Sequence, residues 1–316
     1  MAKVKNYLSL ITFSHSVFAL PFAIIGFFLA IWKTENVLRL YDLPAHMRIG
    51  SYRMTPEIRE MFRLKFWLVI ACMILARSAA MAFNRYLDRK FDARNPRTAV
   101  REIPSGVINE QNALLFTIIC SVLFVVCCWF INELCFYLSF VALAVVLGYS
   151  YTKRFTALCH LVLGAGLALA PIGAFLAVTG KFEWLPLLFS FAVFFWVSGF
   201  DIIYALQDDE FDRQHQLHSI PAALGRKNAL RVSELLHLFS AGCIIYAGIY
   251  GRFGIAYFIG AAFFCALLIY QHLLVKPNDL KKVNRAFFTT NGIASVIFLV
   301  FVLVDLFTHT LYDASR

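Results

Sequence analysis

Nine stretches of this chain are long and apolar enough to cross a bilayer, and they constrain its fold more than anything else in it. A helix crossing the hydrocarbon core needs about 20 mostly apolar residues. The stretches fall at roughly 7–32, 64–91, 111–131, 134–151, 157–179, 184–208, 230–250, 252–274 and 285–309. They are continuous rather than alternating, which argues for helices and against a closed barrel. The expectation is an all-α, polytopic membrane protein with nine transmembrane helices, forming one domain over 1–316. Of 316 residues, 60% are hydrophobic and 15% charged. A soluble domain of that composition would expose too much apolar surface. The first run can itself span and lacks a small-residue cleavage site, so no cleaved leader is expected.

The charge between the runs sets an orientation. Arg94, Arg97 and Arg101 follow the second run, and Lys153 and Arg154 the fourth. Arg213, Arg226, Lys227 and Arg231 follow the sixth, and Lys276, Lys281, Lys282 and Arg285 the eighth. The opposite links carry only Lys181 and Arg252. The positive-inside rule puts the N-terminus and the ends of the even runs in the cytoplasm, in an inner membrane. Residues 33–65 resist this scheme, being basic on the outer side, and are expected as an inserted extramembrane loop. The net charge of +10 sits in links, which fits anionic lipid or phosphate ligands better than nucleic acid. The eight cysteines lie in or beside apolar runs without a C-x-x-C pair. They read as small buried hydrophobes rather than disulfides or a zinc site.

Two runs of acid carry the chemistry. In the second span Arg77, Asn84, Asp88 and Asp92 step by seven, four and four, which puts them on one helical face. In the sixth, Asp201, Tyr204, Asp208 and Asp212 step by three, four and four, flanked by Gln207 and Asp209. Ionisable groups inside apolar spans are costly and therefore functional candidates. Asn and Asp offer the hard oxygens that Mg²⁺ prefers, usually one or two carboxylates plus substrate phosphate. A solvated helix end, its aspartates paired with Arg85, Arg89 or Lys90, would explain Asp92 but not Arg77 and Asn84.

Basic and aromatic groups accompany the acids. Tyr149 and Lys153 lie one helical turn apart, suited to an oxyanion, although an interfacial aromatic with a snorkelling lysine has the same pattern. Arg97 and Arg101 sit between the turn signals Asn95-Pro96 and Pro104-Ser105-Gly106, and Arg presents forked donors to phosphate. The link Ser219 to Lys227 repeats an Ile-Pro then Gly pattern, so both links are candidate lids. His15 and His160 are lone polar residues in apolar runs, candidates for contact with an aromatic substrate or for ordinary interhelical bonds. Together these groups call for a substrate with a diphosphate head and a long apolar tail. Intramembrane Asp, Arg and His also line transport paths, but here the acids gather at one membrane end. Nothing in the pattern specifies a protein partner.

The motifs Asn84-x-x-x-Asp88-x-x-x-Asp92, Tyr149-x-x-x-Lys153 and Asp201-x-x-Tyr204-Ala205-x-Gln207-Asp208-x-x-x-Asp212, in that order at alternate span ends, resemble the UbiA superfamily of intramembrane aromatic prenyltransferases. The resemblance extends over nearly the whole chain. It implies a nine-helix bundle around a central cavity that opens to lipid. It implies that Asn84, Asp88, Asp92, Asp208 and Asp212 hold Mg²⁺ and diphosphate, assisted by Lys153, Tyr149, Arg97 and Arg101. Asp201 would face the acceptor and orient or deprotonate its hydroxyl, with Arg77, His15, His160 and Tyr204 nearby. The reaction would be transfer of a polyprenyl group from polyprenyl diphosphate to an aromatic acid in quinone biosynthesis. The segment from Asn84-Arg85 to Pro104-Ser105-Gly106 looks like the 4-hydroxybenzoate branch. The stretch Thr12-Phe13-Ser14-His15-Ser16 lacks the Arg and Pro motif of much of the ubiquinone branch, which keeps a naphthoate acceptor, as in menaquinone synthesis, as the alternative.

Overall fold

The computed structural model describes residues 6–7, 9–10, 18–40 and 56–313. After helical residues at 6–7 and 9–10, ten α-helices follow among the described residues: α1 Leu20–Leu40, α2 Pro56–Asp92, α3 Glu110–Ile131, α4 Glu133–Thr152 and α5 Cys159–Thr179. Then come α6 Trp184–Ala205, the short α7 Asp209–Gln214, α8 Ile220–Tyr250, α9 Ile255–Leu274 and α10 Asn291–Asp313. Among the described residues eight helices are long and apolar enough to span a membrane, and α1 is apolar over Leu20–Thr34. The first of the nine expected spans falls partly on residues outside the description. The architecture is an all-helical integral membrane bundle, as the apolar runs imply.

The most enclosed helix is α6, held between α5 and α8. Its Trp196 and Phe189 join Phe22 of α1, Phe264 of α9 and Phe298 of α10 in a fully buried aromatic core. Trp196 lies 5.4 Å from the rings of both Phe22 and Phe264. In lipid such packing, not escape from water, holds helices together. Two polar residues inside the bundle, Asn291 and Asp305, tie its helices together. Asn291 Oδ1 accepts from Trp196 Nε1 and from Gln271 Nε2, both at 2.9 Å, and its amide donates to the Phe287 carbonyl at 2.8 Å. The buried Asp305 accepts from the backbone N–H groups of Gly254 (2.8 Å) and Tyr257 (3.1 Å), so this intramembrane acid caps α9. All eight cysteines are free thiols.

Two expectations shift. Of the expected 33–65 loop, residues 33–40 belong to α1 and 56–65 to α2, while 41–55 lie outside the described residues. Lys33 pairs with Glu183, and Lys65 Nζ donates to the Ala177 carbonyl at 2.9 Å. These two lysines fasten α1 and α2 to the α5–α6 turn. The second candidate lid is helical. Ser219 accepts from Ala222 N at 3.3 Å, and Pro221 sits in the first turn of α8. That cap and that proline are a helix start, here interrupted only at Gly225, whose φ of 75° a side chain would strain.

Candidate active site

The two acid runs meet at one end of the bundle, around a polar cavity of about 250 Å³. Because α2 is continuous, Arg77, Asn84, Asp88 and Asp92 stay in register and all line it. The second run reaches it differently. After Ala205 the chain tightens into a 3₁₀ turn, Leu206–Asp208, before α7 begins. Asp201, Tyr204, Asp208 and Asp212 still face the cavity. Asp209 turns away, and its carboxylate accepts from Arg226 at 3.0 and 2.8 Å, which ties α7 to the first turns of α8.

Each cavity acid of the metal-type motifs is countered by a base from another part of the chain. Asp88 lies 3.3 Å from Arg154, and Asp92 accepts from Arg101 at 2.7 Å. Asp208 accepts from Arg97 Nε at 2.9 Å, from Arg97 Nη2 in a second contact, and from Asn95 Nδ2 at 3.0 Å. Lys153 Nζ lies 2.7 Å from Asp212 Oδ1. Asn84 donates to Asp88 at 3.2 Å and lies 3.5 Å from Ser150 Oγ. The aspartates therefore do not pair with the bases of their own helix, and Arg89 instead bonds Glu110. Burial opposes the charge of Arg97, but its bonds to Asp208 and Tyr204 outweigh it and hold the guanidinium above its usual range. Burial likewise opposes the charge of Lys153, and the facing Asp212 carboxylate reverses the balance upward.

Some of these oxygens are left over. Asp92 Oδ2 and both Asp212 oxygens are buried without a hydrogen-bond partner, the lysine contact at Asp212 being ionic rather than a directed bond. Leaving a buried carboxylate oxygen unpaired is costly. Hard, unsatisfied carboxylate oxygens beside the Asn84 carboxamide suit a divalent cation, so the residues fit the Mg²⁺ that the motifs suggest. Among the described residues no three His, Cys, Asp or Glu side chains already converge on a metal-sized point.

Deeper in, Asp201 Oδ2 lies 2.7 Å from His160 Nδ1. Arg77 Nε is buried without a partner. Tyr204 Oη receives Arg97 Nη1 at 3.0 Å, and its ring lies 4.2 Å from that of Phe287. Beyond Arg77 and Tyr149 the polar cavity meets an apolar one of about 320 Å³, the two sharing those residues with Leu163 and Leu167. The apolar cavity follows α4 from Tyr149 to Cys135, roughly 20 Å at 1.5 Å per residue. His15 lies outside the described residues.

Several contributors escaped the sequence reading. Asn95 bonds Asp208 with its amide and accepts from Arg97 N at 3.0 Å with its oxygen. The Asn-Pro turn signal was visible there, but not its target. Arg154, next to Lys153, pairs with Asp88 and donates to the Leu87 carbonyl at 2.9 Å. Arg85 reaches the cavity with its Nε unpaired. Phe287 comes from a π-helical turn, Arg285–Thr290, and its apolar context gave no signal.

Comparison with known proteins adds to this geometry. Residues 49–293 match the UbiA prenyltransferase family. The 4-hydroxybenzoate octaprenyltransferase of Nitrosospira multiformis is 30% identical over 73% of this chain and 79% of its own length. That of Tolumonas auensis is 30% identical over 72% and 79%. A UbiA homolog from Aeropyrum pernix, solved in its apo form, superposes with a TM-score of 0.75 at 28% identity, covering 92% of this chain and 98% of that one. A UbiA homolog from Archaeoglobus fulgidus bound to DMAPP and Mg²⁺ shares the fold at a TM-score of 0.69 and 20% identity, covering 95% and 99%.

Proposed function

The chain belongs to the UbiA prenyltransferase family, and from that premise we propose that it transfers a polyprenyl group from polyprenyl diphosphate to 4-hydroxybenzoate in quinone biosynthesis. The observation that carries this reading is the meeting of two acid runs in one cavity, each acid countered by a base. Asn84, Asp88, Asp92, Asp208 and Asp212 hold Mg²⁺, while Lys153, Tyr149, Arg97 and Arg101 take the diphosphate oxygens. When bound, Mg²⁺ neutralises charge that builds on the diphosphate as it leaves. Arg97, Arg101 and Lys153, which counter Asp208, Asp92 and Asp212, would turn to phosphate oxygens once a cation took over their carboxylates. The charges are already placed, so little reorganisation accompanies ionisation of the donor.

The apolar cavity beyond Tyr149 receives the first part of the tail and keeps water from the allylic cation. Tyr204 and Phe287 line the polar cavity, and aromatic rings attract such a cation. Asp201 lies on the acceptor side, where it orients or deprotonates the ring hydroxyl. Arg77, free at Nε, is the donor for the acceptor carboxylate. The basic links support a mouth at the cytoplasmic face of an inner membrane, and the continuous helical run supports one domain over 1–316. The relatives' activity supports the choice of 4-hydroxybenzoate. The test is to incubate purified protein with labelled prenyl diphosphate, hydroxybenzoate and naphthoate acceptors, with and without EDTA. Prenylated hydroxybenzoate that disappears with chelator supports the proposal; chelator-resistant product, or product with naphthoates alone, opposes it.

A further inference from the structure

We propose that His160 is a positioning residue whose single tautomer holds Asp201 toward the acceptor. The inference rests on the prenyl-transfer reading above, but nothing in that reading assigns the histidine this role. His160 is 3% exposed, and both ring nitrogens are engaged. The Ile220 backbone N–H donates to Nε2 at 3.4 Å. A nitrogen that accepts carries no proton in the neutral ring, so the proton is on Nδ1, which faces Asp201 Oδ2 at 2.7 Å. The carboxylate is thereby held by one oxygen and the other is left for the acceptor.

The backbone makes this pair. Gly164, one turn after His160, lets α5 approach α6 so closely that a Cβ there would lie 2.2 Å from Ser198 Oγ and 2.6 Å from the Phe194 carbonyl. Asp201 lies one turn beyond Ser198, level with His160. On the other side, Ile220 opens α8, whose start is set by the Ser219 cap and the Arg226–Asp209 bonds. His218 N donates to the Lys153 carbonyl at 2.7 Å, so the same short link also touches the diphosphate side. His160 joins that link to Asp201 and has no nitrogen left for substrate, which replaces its expected role as an acceptor contact.

The test uses the full chain in lipid nanodiscs with geranyl diphosphate, Mg²⁺ and 4-hydroxybenzoate or a hydroxynaphthoate. His160→Leu is expected to lower kcat for transfer about 10- to 100-fold, as loss of a charge-assisted hydrogen bond implies, with the donor KM unchanged. His160→Asn, whose amide nitrogen replaces Nδ1, restores most of the rate; His160→Gln, whose nitrogen sits further out, does not. Adding His160→Leu to Asp201→Asn costs nothing more, because the two act as a unit. Full activity in His160→Leu overturns the inference, as does equal loss in His160→Leu and His160→Asn with a raised donor KM, which marks simple packing. A wild type that prenylates neither acceptor overturns the functional reading and this inference with it. An active wild type beside an unimpaired His160→Leu overturns this inference alone.

Discussion

Asp208→Asn separates the two roles proposed for one carboxylate, counter-ion and metal ligand. The substitution keeps the shape and leaves an oxygen to accept from Asn95, now at 3.0 Å from Asp208 Oδ1. It removes the charge that Arg97 meets through Nε and Nη2. If Asp208 only neutralises Arg97, the variant frees a guanidinium for diphosphate, and donor affinity holds or rises. If Asp208 also holds the cation, the gain at Arg97 is outweighed by a missing metal ligand. Arg97 keeps one further partner, Tyr204 Oη at 3.0 Å, so it stays in place in either case. A preorganised electrostatic group of this kind is worth about 10²–10³ in rate, roughly 3–4 kcal/mol. We expect kcat/KM for prenyl diphosphate to fall by about that factor, with the Mg²⁺ concentration for half-maximal rate moving upward. Steady-state transfer at varied donor and varied Mg²⁺ measures both. An unchanged or improved kcat/KM with an unshifted Mg²⁺ curve would refute the reasoning and reduce Asp208 to a counter-ion.

Lys153→Met leaves Asp212, which is fully buried, without its base, and is expected to lower donor kcat/KM by about 10²-fold while the acceptor KM holds; a selective rise in acceptor KM would move Lys153 to the other side of the site. Gly173→Phe adds bulk where a Cβ meets nothing within 4 Å, in the wall of the apolar cavity. Long donors should lose activity before geranyl diphosphate does, and equal loss for both would separate that cavity from the tail. Asn291→Leu strips Trp196 Nε1 and Gln271 Nε2 of their shared acceptor, at about 1–3 kcal/mol each. Thermal unfolding in detergent should show a clear drop in Tm, and an unchanged Tm would mean that these donors find other partners.

The parts of the site written in a local period were readable from the chain. Asn84, Asp88 and Asp92 share a face because α2 is unbroken. The second run looked equally regular, yet the 3₁₀ turn at Leu206–Asp208 rotates Asp209 outward to Arg226, and no spacing rule shows where a helix will tighten. Pairing was invisible for a different reason. Arg97 and Asp208 are 111 residues apart, and His160 and Asp201 are 41 apart, so only packing decides that they meet. Gly164 was such a determinant, since its meaning appears only when α6 lies against it. The helix start at Ser219 was locally legible as a cap followed by a proline, but a functional reading as a lid took precedence. Lys33 and Lys65 looked like loop charge because the contacts they make, to Glu183 and to the Ala177 carbonyl, cannot be seen in one dimension.

The central claim is that both acid runs serve one Mg²⁺–diphosphate site. Its most direct test is equilibrium binding of a non-ionising prenyl thiodiphosphate to the purified chain as Mg²⁺ is titrated. Binding is expected to require Mg²⁺ and to weaken about 10²-fold in both Asp88→Ala and Asp208→Ala. Tight binding in EDTA, or weakening from one acid run alone, would contradict it.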